Sequence, residues 1–91
     1  MILEVISPEK LLFKGEVKHV EMPGINGSFG VLENHAPMIS ALKKGSVHVN
    51  LAGKSVEGVL SKELNSSDTL SFEISGGVAE IFQNKVIILA E

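Results

Sequence analysis

The chain has no cysteine, tryptophan, tyrosine or arginine. Without cysteine there are no disulfides, thiolate metal sites or cysteine nucleophiles, and the composition suits a small soluble protein of a reducing compartment. Without arginine there is no bidentate fork for phosphates or base edges. The eight lysines against eleven acids give a net charge of −3, opposite in sign to a nucleic-acid footprint. Without tryptophan and tyrosine the chain lacks the aromatic platforms of sugar-binding and single-strand-binding modules. Long apolar runs are missing too. The longest, Val-Ile-Ile-Leu-Ala at residues 86–90, is one strand in length, far below the roughly 18 residues of a membrane helix, so any contact with a membrane is expected through a partner. Glu4 stands near the N-terminus, where a secretion signal would carry positive charge.

What remains is 91 residues, room for one core and one domain, with a hydrophobic content of 44% and a charged content of 21% that put the chain among ordinary globular proteins. Its dominant period is two. Val47, Val49 and Leu51 alternate with Ser46, His48 and Asn50, and Leu70, Phe72 and Ile74 alternate with Ser71, Glu73 and Ser75. Each stretch reads as a strand with one buried and one wet face. Residues 2–6, 78–82 and 86–89 are β-rich, and Gln83-Asn84-Lys85 between the last two suits a hairpin. Val17 and Val20 lie three apart and cannot share one face of a regular strand, which predicts a bulge. Only Ser61-Lys62-Glu63-Leu64 reads as helical, for a single turn, and Asn65-Ser66-Ser67-Asp68 reads as a loop. Glycine and proline punctuate at intervals of about 8–12 residues, as in sandwiches and small barrels. The expected fold is all-β: two packed antiparallel sheets forming a flattened sandwich of about ten short strands.

The chemistry-bearing residues are sparse. His19, His35 and His48 stand 16 and 13 residues apart, matching no short metal-ligand spacing, so no metal is expected. His35, in Asn34-His35-Ala36-Pro37, reads either as a loop imidazole bonded to nearby backbone or as a contact offered to a partner. The stretch Gly24-Ile25-Asn26-Gly27-Ser28-Phe29-Gly30 has the glycines of a phosphate loop, but Val31-Leu32 follows where Gly-Lys-Ser/Thr and a helix would be needed. A tight turn with positive φ is the reading adopted. Ile25 and Phe29 in that turn either tuck beneath it or wait for a partner. No nucleophile elbow or paired acid marks a catalytic serine, and no enzyme, cofactor or small-molecule substrate is expected.

Several blocks together resemble one family: Ser7-Pro8-Glu9-Lys10, Leu12-Phe13, Gly15-Glu16-Val17, Pro23-Gly24 with Gly27 and Phe29-Gly30-Val31-Leu32, Asn34-His35-Ala36-Pro37-Met38-Ile39, and Ile74-Ser75-Gly76-Gly77 through Leu89-Ala90-Glu91. This pattern is similar to the N-terminal β-sandwich of the F-type ATP synthase epsilon subunit, and His-Ala-Pro followed about forty residues later by Ser-Gly-Gly is its specific part. Residues 52–69 make this chain longer than the family's usual hairpin there. The resemblance implies a non-catalytic rotor component of the central stalk, binding the gamma subunit and the ring of membrane c subunits. It would then lie on the cytoplasmic side of a bacterial inner membrane, held there through the complex. Ser7 and the stretch His35, Ala36, Pro37, Met38, Ile39 and Ser40 would face gamma. Asn26, Gly27 and Ser28 would face the ring, with weaker charge pairing because Ser28 stands where the family often has an acid. Relatives commonly continue into two C-terminal helices. This chain stops at Glu91, where those would begin, so the expectation is one domain, 1–91, without a helical pair to hold back hydrolysis. The readings set against it are a generic β-sandwich interaction module, which would copurify with no synthase subunit, and a carbohydrate- or nucleotide-binding domain, which would saturate with a small ligand.

Overall fold

The computed structural model describes residues 1–60 and 68–91, with only the backbone of Lys54 and Ser55. Eight strands are present among them: β1 (Ile2–Ile6), β2 (Leu11–Gly24), β3 (Gly27–Leu32), β4 (Met38–Leu42), β5 (Gly45–Glu57), β6 (Thr69–Ile74), β7 (Gly77–Phe82) and β8 (Lys85–Ala90). The two stretches with the clearest alternation form strands as expected, with Val47, Val49 and Leu51 buried on β5 and Leu70 and Ile74 on β6. The Ser61–Leu64 turn and Asn65, Ser66 and Ser67 of the expected loop lie outside the described residues.

Among the described residues the strands are fewer and longer than the sequence suggested, because β2 runs for 14 residues and β5 for 13. The slip between Val17 and Val20 bends β2 instead of ending it. Val17 pairs with Leu51 and His19 with Asn50, so Lys18 is the extra residue of a bulge, and both valines are fully buried. The same bend changes β2's neighbours. Along one edge residues 11–16 pair with β1, and residues 19–24 pair with β3. Along the other, β5 occupies residues 14–21 before β4 meets Gly24.

β2 therefore joins two layers. Pairings run β1–β8–β7–β4–β2 and return from β2 to β1, while β3, β2, β5 and β6 make the second layer. Among the described residues all pairings are antiparallel except β1 with β8, which places the first and last strands side by side. Between the layers lies a single apolar core, with Leu3, Phe13, Met22, Leu70, Ile81 and Ile88 almost completely hidden. Burying such side chains contributes about 1.5–3 kcal/mol each.

Two hairpins close the ends of this frame. The β2–β3 hairpin closes with Ile25-Asn26 as its loop and Gly27 at φ 126°, a conformation L-residues avoid. The β7–β8 hairpin turns through Gln83 and Asn84, at φ 50° and 60°, the paired left-handed residues of a type I′ turn. Past Leu51, whose N–H donates to Asp68 O, β5 leaves β6 and pairs again with β2 at Gly15 and Lys14.

Candidate protein-docking surfaces

The outer faces of the two layers differ in character. On the β3–β2–β5–β6 layer the strand periodicity puts mainly polar groups outside, with one large apolar side chain, Leu32 on β3, exposed among them. Glu21, His48 and Ser71 share one row, and His48 Nδ1 and Ser71 Oγ are hydrogen-bonded at 2.8 Å. Ser46 Oγ donates to the Glu73 carboxylate in the neighbouring row. His19 instead lies against Gly30, so the rings of His19 and His48 engage different neighbours. Among the described residues no group of three or more His, Cys, Asp or Glu is placed to hold a metal ion.

The β1–β8–β7–β4 layer is apolar on its outside. Its rows, read from β4 to β1, are Ala41–Val78–Leu89–Ile6 and Ile39–Glu80–Ile87–Glu4, with Phe82, Lys85 and Ile2 at the end. Ile39 is 73% exposed, and Phe82 and Leu89 are each 54% exposed. A contiguous set of large apolar side chains left in water marks a surface that something else covers. One ion pair crosses it: Lys85 Nζ donates to Glu4 Oε1 at 2.7 Å. That hydrogen bond, against some opposition from burial and with help from the Lys85 and Lys14 charges, holds the Glu4 carboxyl below the ordinary carboxylate range.

The expected gamma-facing residues lie at the margins of this layer. Ser7, just past β1, has its Oγ–H and its N–H directed to Lys10 O, and it lines a cavity of about 520 Å³ with Ile6, Pro8, Val78 and Leu89. Across the layer, Ile39 projects outward from β4 while Met38 and Ser40 alternate inward, and Met38 packs partly buried against the core. The alternation of β4 thus assigns the outward apolar contact to Ile39. The side chain of Met38 still reaches the rim, lining two hollows beside Ile39. His35 is half-buried, and its Nδ1–H donates to Ala36 O at 2.7 Å, the local backbone bond that was one of its two readings. Ala36 and Pro37 are exposed in the loop before β4.

The expected ring-facing residues, Asn26, Gly27 and Ser28, are all exposed at the tip of the β2–β3 hairpin. They are not remote from the first set. Ile25 N–H donates to Ala41 O at 3.1 Å and Lys43 N–H to Pro23 O at 2.9 Å, fastening the hairpin tip to β4. Together the two segments line a groove of about 530 Å³. Ile25 is 58% exposed there, while Phe29 tucks against the core, so the two apolar residues of the turn take opposite roles.

Val78, Phe82, Ile87 and Leu89 are outward-facing residues that the sequence expectations did not include. Their signal was present: on a strand with one wet face, positions 87 and 89 of the 86–90 run should be polar, and both are apolar.

A β-sandwich with one mainly polar outer face and one apolar outer face notched by hollows has the surface of a protein-docking domain. The chain belongs to the ATP synthase delta/epsilon chain β-sandwich domain family, whose profile matches residues 1–91. It is 42% identical over 89 residues to the ATP synthase epsilon chain of Chlorobaculum tepidum, covering 98% of this chain and 86% of that one. The fold matches a chain of the Euglena gracilis mitochondrial ATP synthase with a TM-score of 0.79 at 23% identity, over 99% of this chain and 49% of that one. A chain of the Tetrahymena thermophila mitochondrial ATP synthase central stalk and c-ring matches with a TM-score of 0.69 at 13% identity, over 99% of this chain and 62% of that one.

Proposed function

We propose that residues 1–91 form the rotor-side docking domain of an F-type ATP synthase epsilon subunit, a non-catalytic piece of the central stalk seated between the gamma subunit and the c-ring. The observation that carries this is the asymmetry of the two outer faces. The β3–β2–β5–β6 face carries Glu21, His48 and Ser71 to water with Leu32 as its one large exposed apolar side chain, while the β1–β8–β7–β4 face presents Ile39, Val78, Phe82 and Leu89. Gamma covers the apolar layer, from Ser7 at one margin to the His35, Ala36, Pro37, Met38, Ile39 and Ser40 stretch at the other. Each large apolar side chain fully covered contributes about 1.5–3 kcal/mol to association. Asn26, Gly27 and Ser28 meet the ring from the adjoining hairpin tip. The domain works by stiffness. Its close-packed core resists deformation, so torque entering at the hairpin reaches the docking layer with little loss. Such a subunit lies peripherally at the cytoplasmic face of a bacterial inner membrane, bound through its partners.

The test is capture by an F-type complex stripped of its own epsilon subunit. The chain should bind the gamma-containing complex, and the Phe82→Glu, Leu89→Glu double variant, still folded by circular dichroism, should not. Equal capture of both would overturn the assignment of this face.

A further inference from the structure

We infer that the partner covering the β1–β8–β7–β4 layer brings a basic side chain to Glu80, forming on docking an ion pair that fixes the register of the two surfaces. This rests on the reading that gamma covers the layer, and it concerns what gamma must present there.

The four strands of the layer carry three ionisable side chains, Glu4, Glu80 and Lys85. Two of them neutralise each other through the 2.7 Å Lys85–Glu4 bond. Glu80 stands between Ile39 and Ile87 in its row, and no ion pair or side-chain hydrogen bond reaches it among the described residues. Lys85 is on the adjacent strand and borders the same hollow, and its ammonium is bonded to Glu4.

Covering Ile39 and Ile87 necessarily removes water from the carboxylate between them. An ionised carboxylate taken from water without a partner opposes association, so an apolar occupant without a cation would dock poorly. The surface has room for the stem of such a cation. Glu80 stands on the ridge between two hollows, of about 180 and 280 Å³, and Phe82 lines both. A lysine or arginine lying in either hollow can rest its methylenes on Phe82 and direct its donors to Glu80. Apolar contacts slide with little change in energy, whereas a charge-assisted hydrogen bond fixes one alignment.

The experiment measures the dissociation constant of the chain from a gamma-containing complex lacking its own epsilon subunit, at low and at high salt. Glu80→Gln, Glu80→Lys and Leu89→Asp are compared with the unaltered chain, and circular dichroism verifies folding of each. Glu80→Gln should weaken binding about 10–100-fold at low salt and flatten the salt dependence. Glu80→Lys should weaken it further. Leu89→Asp should abolish it. Unaltered binding by Glu80→Gln alongside loss by Leu89→Asp would overturn the ion pair and leave the docking face standing. Unaltered binding by Leu89→Asp would overturn the docking face itself.

Discussion

Asn34 and Asn84, fifty residues apart in sequence, are joined by a hydrogen bond of 2.8 Å from the Asn34 backbone N–H to Asn84 Oδ1. Asn34 opens the loop that carries His35, Ala36 and Pro37, and Asn84 sits in the β7–β8 turn. Both adopt positive φ, at 63° and 60°. The bond therefore fastens a candidate contact loop to the rigid layer it borders, using two residues already suited to left-handed turns.

Replacing Asn84 separates these roles. Asn84→Gly keeps the turn, because glycine tolerates its φ, and removes the acceptor. Stability should fall by about 0.5–1.5 kcal/mol, and the Asn34 amide should exchange faster by hydrogen-exchange mass spectrometry or NMR. Asn84→Asp keeps an acceptor in the same place and should restore the protection. Unchanged exchange in Asn84→Gly would show that the bond holds nothing in place.

Gly77 sets how closely β7 can approach β8. Its φ is 152°, and a Cβ added there would collide with the carbonyl oxygen of Leu89. Gly77→Ala should cost at least about 1–3 kcal/mol, read as a lower urea midpoint with an unchanged slope. An unshifted midpoint would mean that the two strands separate freely at this point.

The Glu4–Lys85 pair makes stability depend on pH in one direction. Because the Glu4 carboxyl is held below its ordinary value in the folded chain, the pair contributes fully above the unfolded carboxylate pKa. That contribution is lost as pH falls through the folded value. It is small, since Lys85 is 45% exposed, and such pairs contribute about 0.2–1 kcal/mol at low salt. Lys85→Gln should lower stability at neutral pH and leave it nearly unchanged near pH 2, a difference that thermal unfolding at the two pH values measures. An equal loss at both would assign the effect of Lys85 to packing.

Much of this architecture could be read locally. Alternation at residues 47–51 and 70–74 places two strands and their inner faces, and Gln83-Asn84-Lys85 yields a hairpin whose Lys85 already belongs to β8, because these signals act between near neighbours. The Val17–Val20 slip announces a bulge for the same reason. It does not announce that the bend lets β2 change neighbours from β1 to β3, since that depends on strands elsewhere in the chain. The parallel pairing of β1 with β8 joins the two ends of the sequence, and nothing local to Ile2 or Lys85 encodes it. The apolar layer was half legible. The resemblance named Ser7 and residues 35–40, which lie at its two margins. The middle is supplied by Val78, Phe82, Ile87 and Leu89, and those face outward together only once β7 and β8 lie between β4 and β1.

The hairpin tip offers a way to test the ring contact independently of gamma. Ile25 is 58% exposed and lies beside Asn26, Gly27 and Ser28, so Ile25→Asp should not disturb the core. Its backbone bond to Ala41 O survives the change, because the donor is the main-chain N–H. The added carboxylate would instead be buried wherever a ring loop closes over the tip, and an unpaired buried charge opposes that contact. Capture by a soluble gamma-containing complex should therefore match the unaltered chain, while retention on ring-bearing membranes, where both contacts act together, should fall. The linked pair of contacts makes the second measurement the more sensitive, because losing one site also removes the local concentration it gave the other. Equal retention of both chains on those membranes would remove the hairpin tip from the ring contact. A loss of gamma capture as well would show that the groove shared by residues 25–29 and 38–41 serves a single partner.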